Sequence, residues 1–267
     1  MAAAASGTLA AARGGQLGWR NRHCGSAAFE MEVVPGAAPV RVAQVMAGEE
    51  AGIGTGTTVW DASTVLVRYL QHSRVPLEGR RVVDLGSGTG ITGFAVAALG
   101  AKVTVTDQVQ ILFLLRQNLG VNEQSGAVPR GSVAVAEYSW GEDCAHLTAP
   151  SPPDVVLACE CIVPRLYPIE PLVAASESWP DYSRASSADW RSHAVADLSG
   201  PDTVTFVAYE HRERAFSPQQ KFAELAAARG LCVRPVAHDD MDPTYRAEDI
   251  EIWQVSRAPG TATEESR

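Results

Sequence analysis

Apolar and polar residues alternate over residues 29–34 and again over 40–45, with Pro35-Gly36 between the two runs. A period of two around a turn signal predicts a β-hairpin. A glycine-rich stretch, residues 52–56, then leads into Thr57-Thr58-Val59-Trp60-Asp61. Beyond it Val65, Leu66, Tyr69 and Leu70 recur at helical spacing, and Asp61 stands where it is expected to cap that helix.

From Arg81 onward the period switches back and forth between two and 3.6 residues. Val82-Val83 predicts a short buried strand that ends at a glycine turn. A helix over 91–99 closed by Gly100, a strand over 103–106 and a helix over 111–119 closed by Gly120 follow. Strands are predicted at 133–136, 155–158 and 204–208, and a helix begins within 166–175. Pro218 suits the first position of a helix over 218–229, and strands over 232–236 and 250–255 close the series. Strands that alternate with helices imply a doubly wound α/β domain, a mostly parallel sheet covered on both faces. Residues 176–193 interrupt the order without a clean period and read as an inserted surface loop, and 258–267 as a flexible tail.

Composition narrows the class. The chain has 267 residues, 46% of them hydrophobic, enough for a sizeable core. With 22 basic and 31 acidic residues the formal charge is −9, and no dense Lys/Arg run marks a nucleic-acid footprint. No apolar stretch approaches the ~20 residues of a membrane-spanning helix. The five cysteines (Cys24, Cys144, Cys159, Cys161 and Cys232) are sparse and odd in number, which argues for reduced thiols rather than a disulfide framework. Cys159-x-Cys161 lacks a second Cys/His pair, so no metal is expected. Residues 1–26 read as a flexible N-terminal segment. They carry Arg13, Arg20 and Arg22 and no acidic residue, a composition also shared with organellar transit peptides.

The chemistry concentrates in Asp84-Leu85-Gly86-Ser87-Gly88-Thr89-Gly90. Glycines let the backbone turn tightly and approach a ligand, and the helix N-terminus behind them offers N–H groups to a carboxylate or phosphate. Shifted along the chain, Gly88-Thr89-Gly90-Ile91-Thr92-Gly93 also fits a dinucleotide fingerprint. Asp84 weighs against that fit, because an anion beside the turn repels a pyrophosphate but accepts hydrogen bonds from an ammonium. S-adenosylmethionine carries an ammonium, a carboxylate and a sulfonium. Asp107, at the end of the second strand of this series, is placed to hold ribose hydroxyls in either cofactor. The plainer role for Asp84 and Asp107 is to cap a neighbouring helix or loop.

These motifs, with Val59-Trp60-Asp61-Ala62-Ser63, Val105-Thr106-Asp107, Ser139-Trp140-Gly141-Glu142 and Tyr209-Glu210-His211-Arg212, resemble the seven-strand lysine methyltransferases of family 16. Within that family, residues 237–252 resemble the branch containing the valosin-containing protein lysine methyltransferase and its plant relatives. The likeness spans about residues 54–257 and implies a Rossmann-like, seven-stranded class I methyltransferase domain over 27–257 that uses S-adenosyl-L-methionine. It implies that Trp60 and Trp140 line the cofactor, with Trp140 near the adenine. Gly86, Ser87 and Gly88 contact the amino-acid part, Asp107 the ribose, and Cys159 the cofactor through its backbone. Each Trp has core packing as its plainer role. The family's acid falls at Glu160 and is expected to hold the substrate amine, with a structural, paired carboxylate as the alternative. The tyrosine expected three residues later is Val163, a departure for which Tyr167 is a candidate replacement.

The expected reaction is methyl transfer to a lysine of a protein, by a monomer in the cytoplasm with no nucleic-acid or membrane partner. An organellar location is the alternative if the N-terminal segment is a transit peptide. The competing readings are a small-molecule methyltransferase, a cofactor-binding module without turnover and an NAD-linked oxidoreductase.

Overall fold

Two short strands, β1 (Ala28–Met31) and β2 (Val40–Ala43), form the hairpin that the alternating pattern predicts. In the computed structural model, residues 18–20, 25–46, 48, 53–162, 169–173, 194–211 and 218–258 are described. The second sheet consists of β3 (Arg81–Leu85), β4 (Lys102–Asp107), β5 (Val133–Glu137), β6 (Val155–Cys159), β7 (Val204–Glu210), β8 (Leu231–Pro235) and β9 (Ile250–Arg257). Its order is β5-β4-β3-β6-β7-β9-β8, and β9 runs antiparallel to both of its neighbours while the other pairings are parallel.

Period two explains why this sheet has two cores. Val82, Val103, Val105, Val155 and Leu157 face one hydrophobic cluster, and Val83, Leu85, Val156 and Ala158 face the other. Helices α1 (Asp61–His72), α2 (Ile91–Ala98) and α3 (Leu112–Ser125) contribute to the first core, together with the hairpin. The second core takes in α5 (Ile169–Val173), α6 (Ala194–Leu198) and α7 (Pro218–Ala227), while the short α4 (Ala145–Thr148) adds Leu147 to it. The doubly wound architecture expected from the βα alternation is thus the observed one. Its strand order reverses between β3 and β6, and ligand crevices open at the carboxyl ends of strands at such a point.

Two local expectations are corrected. The helix predicted to stop at Gly120 runs on to Ser125, and Gly126 in the left-handed conformation ends it. A glycine inside a helix costs about 1 kcal/mol, and here tertiary bonds on both sides of it hold the helix. Asn118 Oδ1 accepts the Ala43 N–H at 2.8 Å and Asn122 Oδ1 accepts the Arg41 N–H at 2.8 Å. Their amide nitrogens donate back to the Ala43 and Arg41 carbonyls. Two side chains one helical turn apart thereby complete the free edge of β2. Secondly, Asp61 does not cap α1. Trp60 occupies the N-cap in extended conformation without a side-chain cap bond, and the Asp61 carboxylate instead accepts from Arg20. The short α4 and α6 had no counterpart in the predicted pattern. The predicted loop 176–193 and the tail beyond 258 lie outside the described residues, as do parts of the helix predicted within 166–175.

Candidate functional site

The turn after β3 is built on left-handed glycines: φ is 61° at Gly86, 55° at Gly88 and 87° at Gly90. A side chain there is strained whatever the space around it. At two of these glycines the nearest atoms to the missing Cβ belong to other segments of the protein. A Cβ on Gly88 would lie 2.5 Å from the Gly56 carbonyl oxygen, and one on Gly86 would lie 3.0 Å from Trp140 Cζ2. The loop before α1 and the indole of Trp140 are therefore laid directly on the turn.

Both coverings are held by hydrogen bonds from elsewhere. Gln44 Oε1 accepts the buried Val59 N–H at 2.7 Å, and Val45 N–H donates to Thr57 at 3.0 Å, so the hairpin fixes the loop that delivers Trp60. Tyr138 N–H donates to the Asp107 carbonyl at 3.0 Å, tying the segment after β5 to the end of β4 and setting Trp140 over Gly86.

The two strand-end acids grip the same turn. Asp107 Oδ2 accepts the Gly88 N–H at 2.8 Å, and Asp84 Oδ2 accepts the Gly93 N–H at 3.1 Å in the first turn of α2. The plainer capping role is thus realised for both. As a result, two backbone N–H groups in and just after the turn serve protein carboxylates. Burial pushes the Asp84 carboxyl up to about 7, and the neighbouring Asp107 charge adds to the rise, while bonds from Ser87 and Gly93 oppose it. Burial also raises Asp107, against the bonds from Gly88 and Gln108.

Glu160 follows β6 with φ of 55°, a left-handed conformation unusual for a side-chain-bearing residue. Its N–H donates to the Ala208 carbonyl at 2.9 Å, and its Oε1 accepts the Glu210 N–H at 2.9 Å. Both bonds end on the last residues of β7. Cys159 Sγ lies 3.4 Å from Ser63 Oγ, and Cys161 Sγ donates to the Leu85 carbonyl. Burial raises both thiols well above their ordinary range, so neither is a ready nucleophile or thiolate ligand. Among the described residues no group of three or more His, Cys, Asp or Glu is placed to hold a metal.

All of these parts surround one cavity of about 400 Å³, within the range of small-molecule sites. The nine residues singled out from the sequence all line it. Gly56, Ser63, Thr92, Gln108, Ile111 and Tyr138 line it too and were not anticipated. They sit on segments whose motifs had been read, and only the packing of one segment on another brings them to the wall. Val163 and Tyr167, which bear on the missing family tyrosine, lie outside the described residues.

Residues 42–174, which contain the end of the hairpin strand β2, the glycine turn, both strand-end acids, both tryptophans and Glu160, match the family described as lysine methyltransferase. This segment is similar to lysine methyltransferases. The protein N-lysine methyltransferase METTL21A of Danio rerio is 42% identical over 94 residues, 34% of this chain and 41% of the relative. Its Mus musculus counterpart is 36% identical over 110 residues, 41% of this chain and 49% of the relative. The EEF1A lysine methyltransferase 3 of Xenopus tropicalis is 37% identical over 93 residues, 35% of this chain and 40% of the relative. The matched part of the chain spans less than half the length of these relatives. In the matched segment the glycine turn is walled by protein on two sides, and Glu160 is pinned from β7, which lies beyond residue 174.

Proposed function

We propose that this protein binds S-adenosyl-L-methionine and transfers its methyl group to a lysine side chain of a protein. The observation that carries the reading is the set of three carboxylates, Asp84, Asp107 and Glu160, on the wall of one cavity inside or beside the lysine methyltransferase segment. The donor set fits the cofactor. Asp84 offers a carboxylate to an ammonium, Asp107 suits vicinal ribose hydroxyls, and Trp140 and Trp60 offer aromatic faces to an adenine and the sulfonium end. A pyrophosphate fits poorly, because the Gly88 and Gly93 N–H groups already serve two protein carboxylates. That disfavours the dinucleotide alternative.

When bound, the cofactor supplies a methyl group already activated by its sulfonium, so the chain's task is positioning and the exclusion of water. A lysine ammonium has no lone pair and must first give its proton to bulk water, before the amine enters the cavity. The Glu160 carboxylate, held by the Glu210 N–H, accepts a hydrogen bond from the amine and points its lone pair into the cavity. The Ser63 hydroxyl and the Cys159 thiol lie beside this acid and complete a polar wall. The same reading takes the enzyme as a cytoplasmic monomer without nucleic-acid or membrane partners. A formal charge of −9 supports a basic acceptor segment.

The test is transfer from labelled S-adenosylmethionine into proteins of a lysate from cells lacking this gene, followed by mass spectrometry of the labelled band. Labelling at lysine is expected, with a loss of roughly 100-fold or more in Glu160→Ala. Label that appears only in a protein-free extract overturns the protein-lysine assignment in favour of a small molecule.

A further inference from the structure

Residues 18–20 fall in the segment read as flexible and outside the family match, yet they are docked on the far end of the chain. Trp19 Nε1 donates to the Thr244 carbonyl at 2.7 Å, and its ring lies 5.9 Å from that of Tyr245. The Arg68 guanidinium stacks over Tyr245 at 4.8 Å. This seat delivers Arg20, whose three guanidinium nitrogens each donate to a different carboxylate. Nε reaches Asp61 Oδ2 at 3.3 Å, Nη1 reaches Asp249 Oδ1 at 2.6 Å and Nη2 reaches Glu210 Oε1 at 2.7 Å.

Each of those carboxylates belongs to a segment that builds the site. Asp61 directly follows Trp60. Glu210 gives its N–H to the Glu160 carboxylate. The Asp249 carbonyl accepts the His211 N–H at 2.8 Å and closes the end of β7. A left-handed Glu160 persists only where its surroundings over-determine it, and two of the bonds that hold it end on residues 208 and 210. Holding the end of β7 therefore helps to hold Glu160. A guanidinium suits that task because its planar fork directs charge-assisted donors along several fixed lines at once, where an ammonium is a point charge.

We propose that Arg20 is a positioning residue for the methyl acceptor, fixing the Glu160 carboxylate through Glu210 and the Trp60 loop through Asp61. The proposal rests on the methyltransferase reading above, and its test separates the two. Hydrogen exchange by mass spectrometry is compared in the full chain for wild type, Arg20→Ala and Arg20→Lys. It is accompanied by calorimetry with S-adenosylhomocysteine and by the lysate labelling assay. In Arg20→Ala, exchange over residues 208–211 is expected to rise by about tenfold or more, with residues 84–93 unchanged. Affinity for S-adenosylhomocysteine stays within about threefold while protein labelling falls by about tenfold or more. Arg20→Lys is expected to follow Arg20→Ala, since it keeps the charge but not the three directed donors.

Unchanged exchange at 208–211, an equal acceleration over the whole chain, or wild-type behaviour of Arg20→Lys each overturns the role of Arg20. So does labelling by Arg20→Ala at the wild-type level. A wild type that binds the cofactor analogue but labels no protein overturns the methyltransferase reading instead.

Discussion

Asp84 shows how one buried carboxyl couples fold and function. Its folded-state pKa of about 7 stands above the ordinary value of 3.8, because burial favours the neutral form. The stability it contributes is fully present below about 4 and is lost as the pH rises through 7. Melting temperature is accordingly expected to fall over that window in wild type and to fall less in Asp84→Asn, which still accepts the Gly93 N–H. Cofactor binding has the opposite slope, because an ammonium requires the ionised acid. Affinity for S-adenosylhomocysteine is expected to rise by up to about tenfold per unit below pH 7 and to level off above it. Calorimetry between pH 6 and about 8.5 decides this, and a flat profile removes Asp84 from the ammonium site. The role of Asp84 as an acid beside the glycine turn was legible in the sequence. Its elevated pKa was not, because burial is a property of the packed sheet.

The decisive elements are the glycine turn and the helices whose ends meet it. Gly88→Ala places a methyl 2.5 Å from the Gly56 carbonyl and forces a left-handed alanine. Backbone atoms on the far side cannot rotate away as a side-chain tip can. A loss of about 2–3 kcal/mol in chemical denaturation is expected, together with loss of cofactor binding. Glu160→Gly makes the contrasting case. Glu160→Gly and Glu160→Ala both lose the bond to the Glu210 N–H, but only glycine relieves the left-handed backbone. The unfolding midpoint of Glu160→Gly is therefore expected above that of Glu160→Ala, even though transfer is lost in both. A glycine midpoint below that of alanine denies that Glu160 is held under strain. Helix boundaries were the least legible feature at this scale. Gly120 looked like a stop signal, but the side-chain bonds of Asn118 and Asn122 to β2 carry α3 past it.

At the scale of the whole molecule, the cavity exists because segments distant in sequence converge on the point where strand order reverses. A ligand that fits it only in the folded state stabilises the whole chain. S-adenosylhomocysteine at about 100 times its dissociation constant is expected to add about 2.7 kcal/mol, a shift of roughly 5–10 °C in melting temperature. An equal shift with NAD instead would restore the dinucleotide reading. The sequence by itself determined the alternation of strands and helices, the glycine turn and the acids Asp84 and Asp107 beside it, because periodicity and local turn chemistry are encoded within a few residues. Trp60, Trp140, Cys159 and Glu160 were implied by the family resemblance. The tertiary structure alone decided what touches what. Gly56 lies on Gly88, Trp140 covers Gly86, the N–H groups of Gly88 and Gly93 are taken by Asp107 and Asp84, and Arg20 reaches Glu210 across most of the chain. Those contacts join residues tens to hundreds of positions apart, and no local pattern specifies a partner that only the packed sheet brings near.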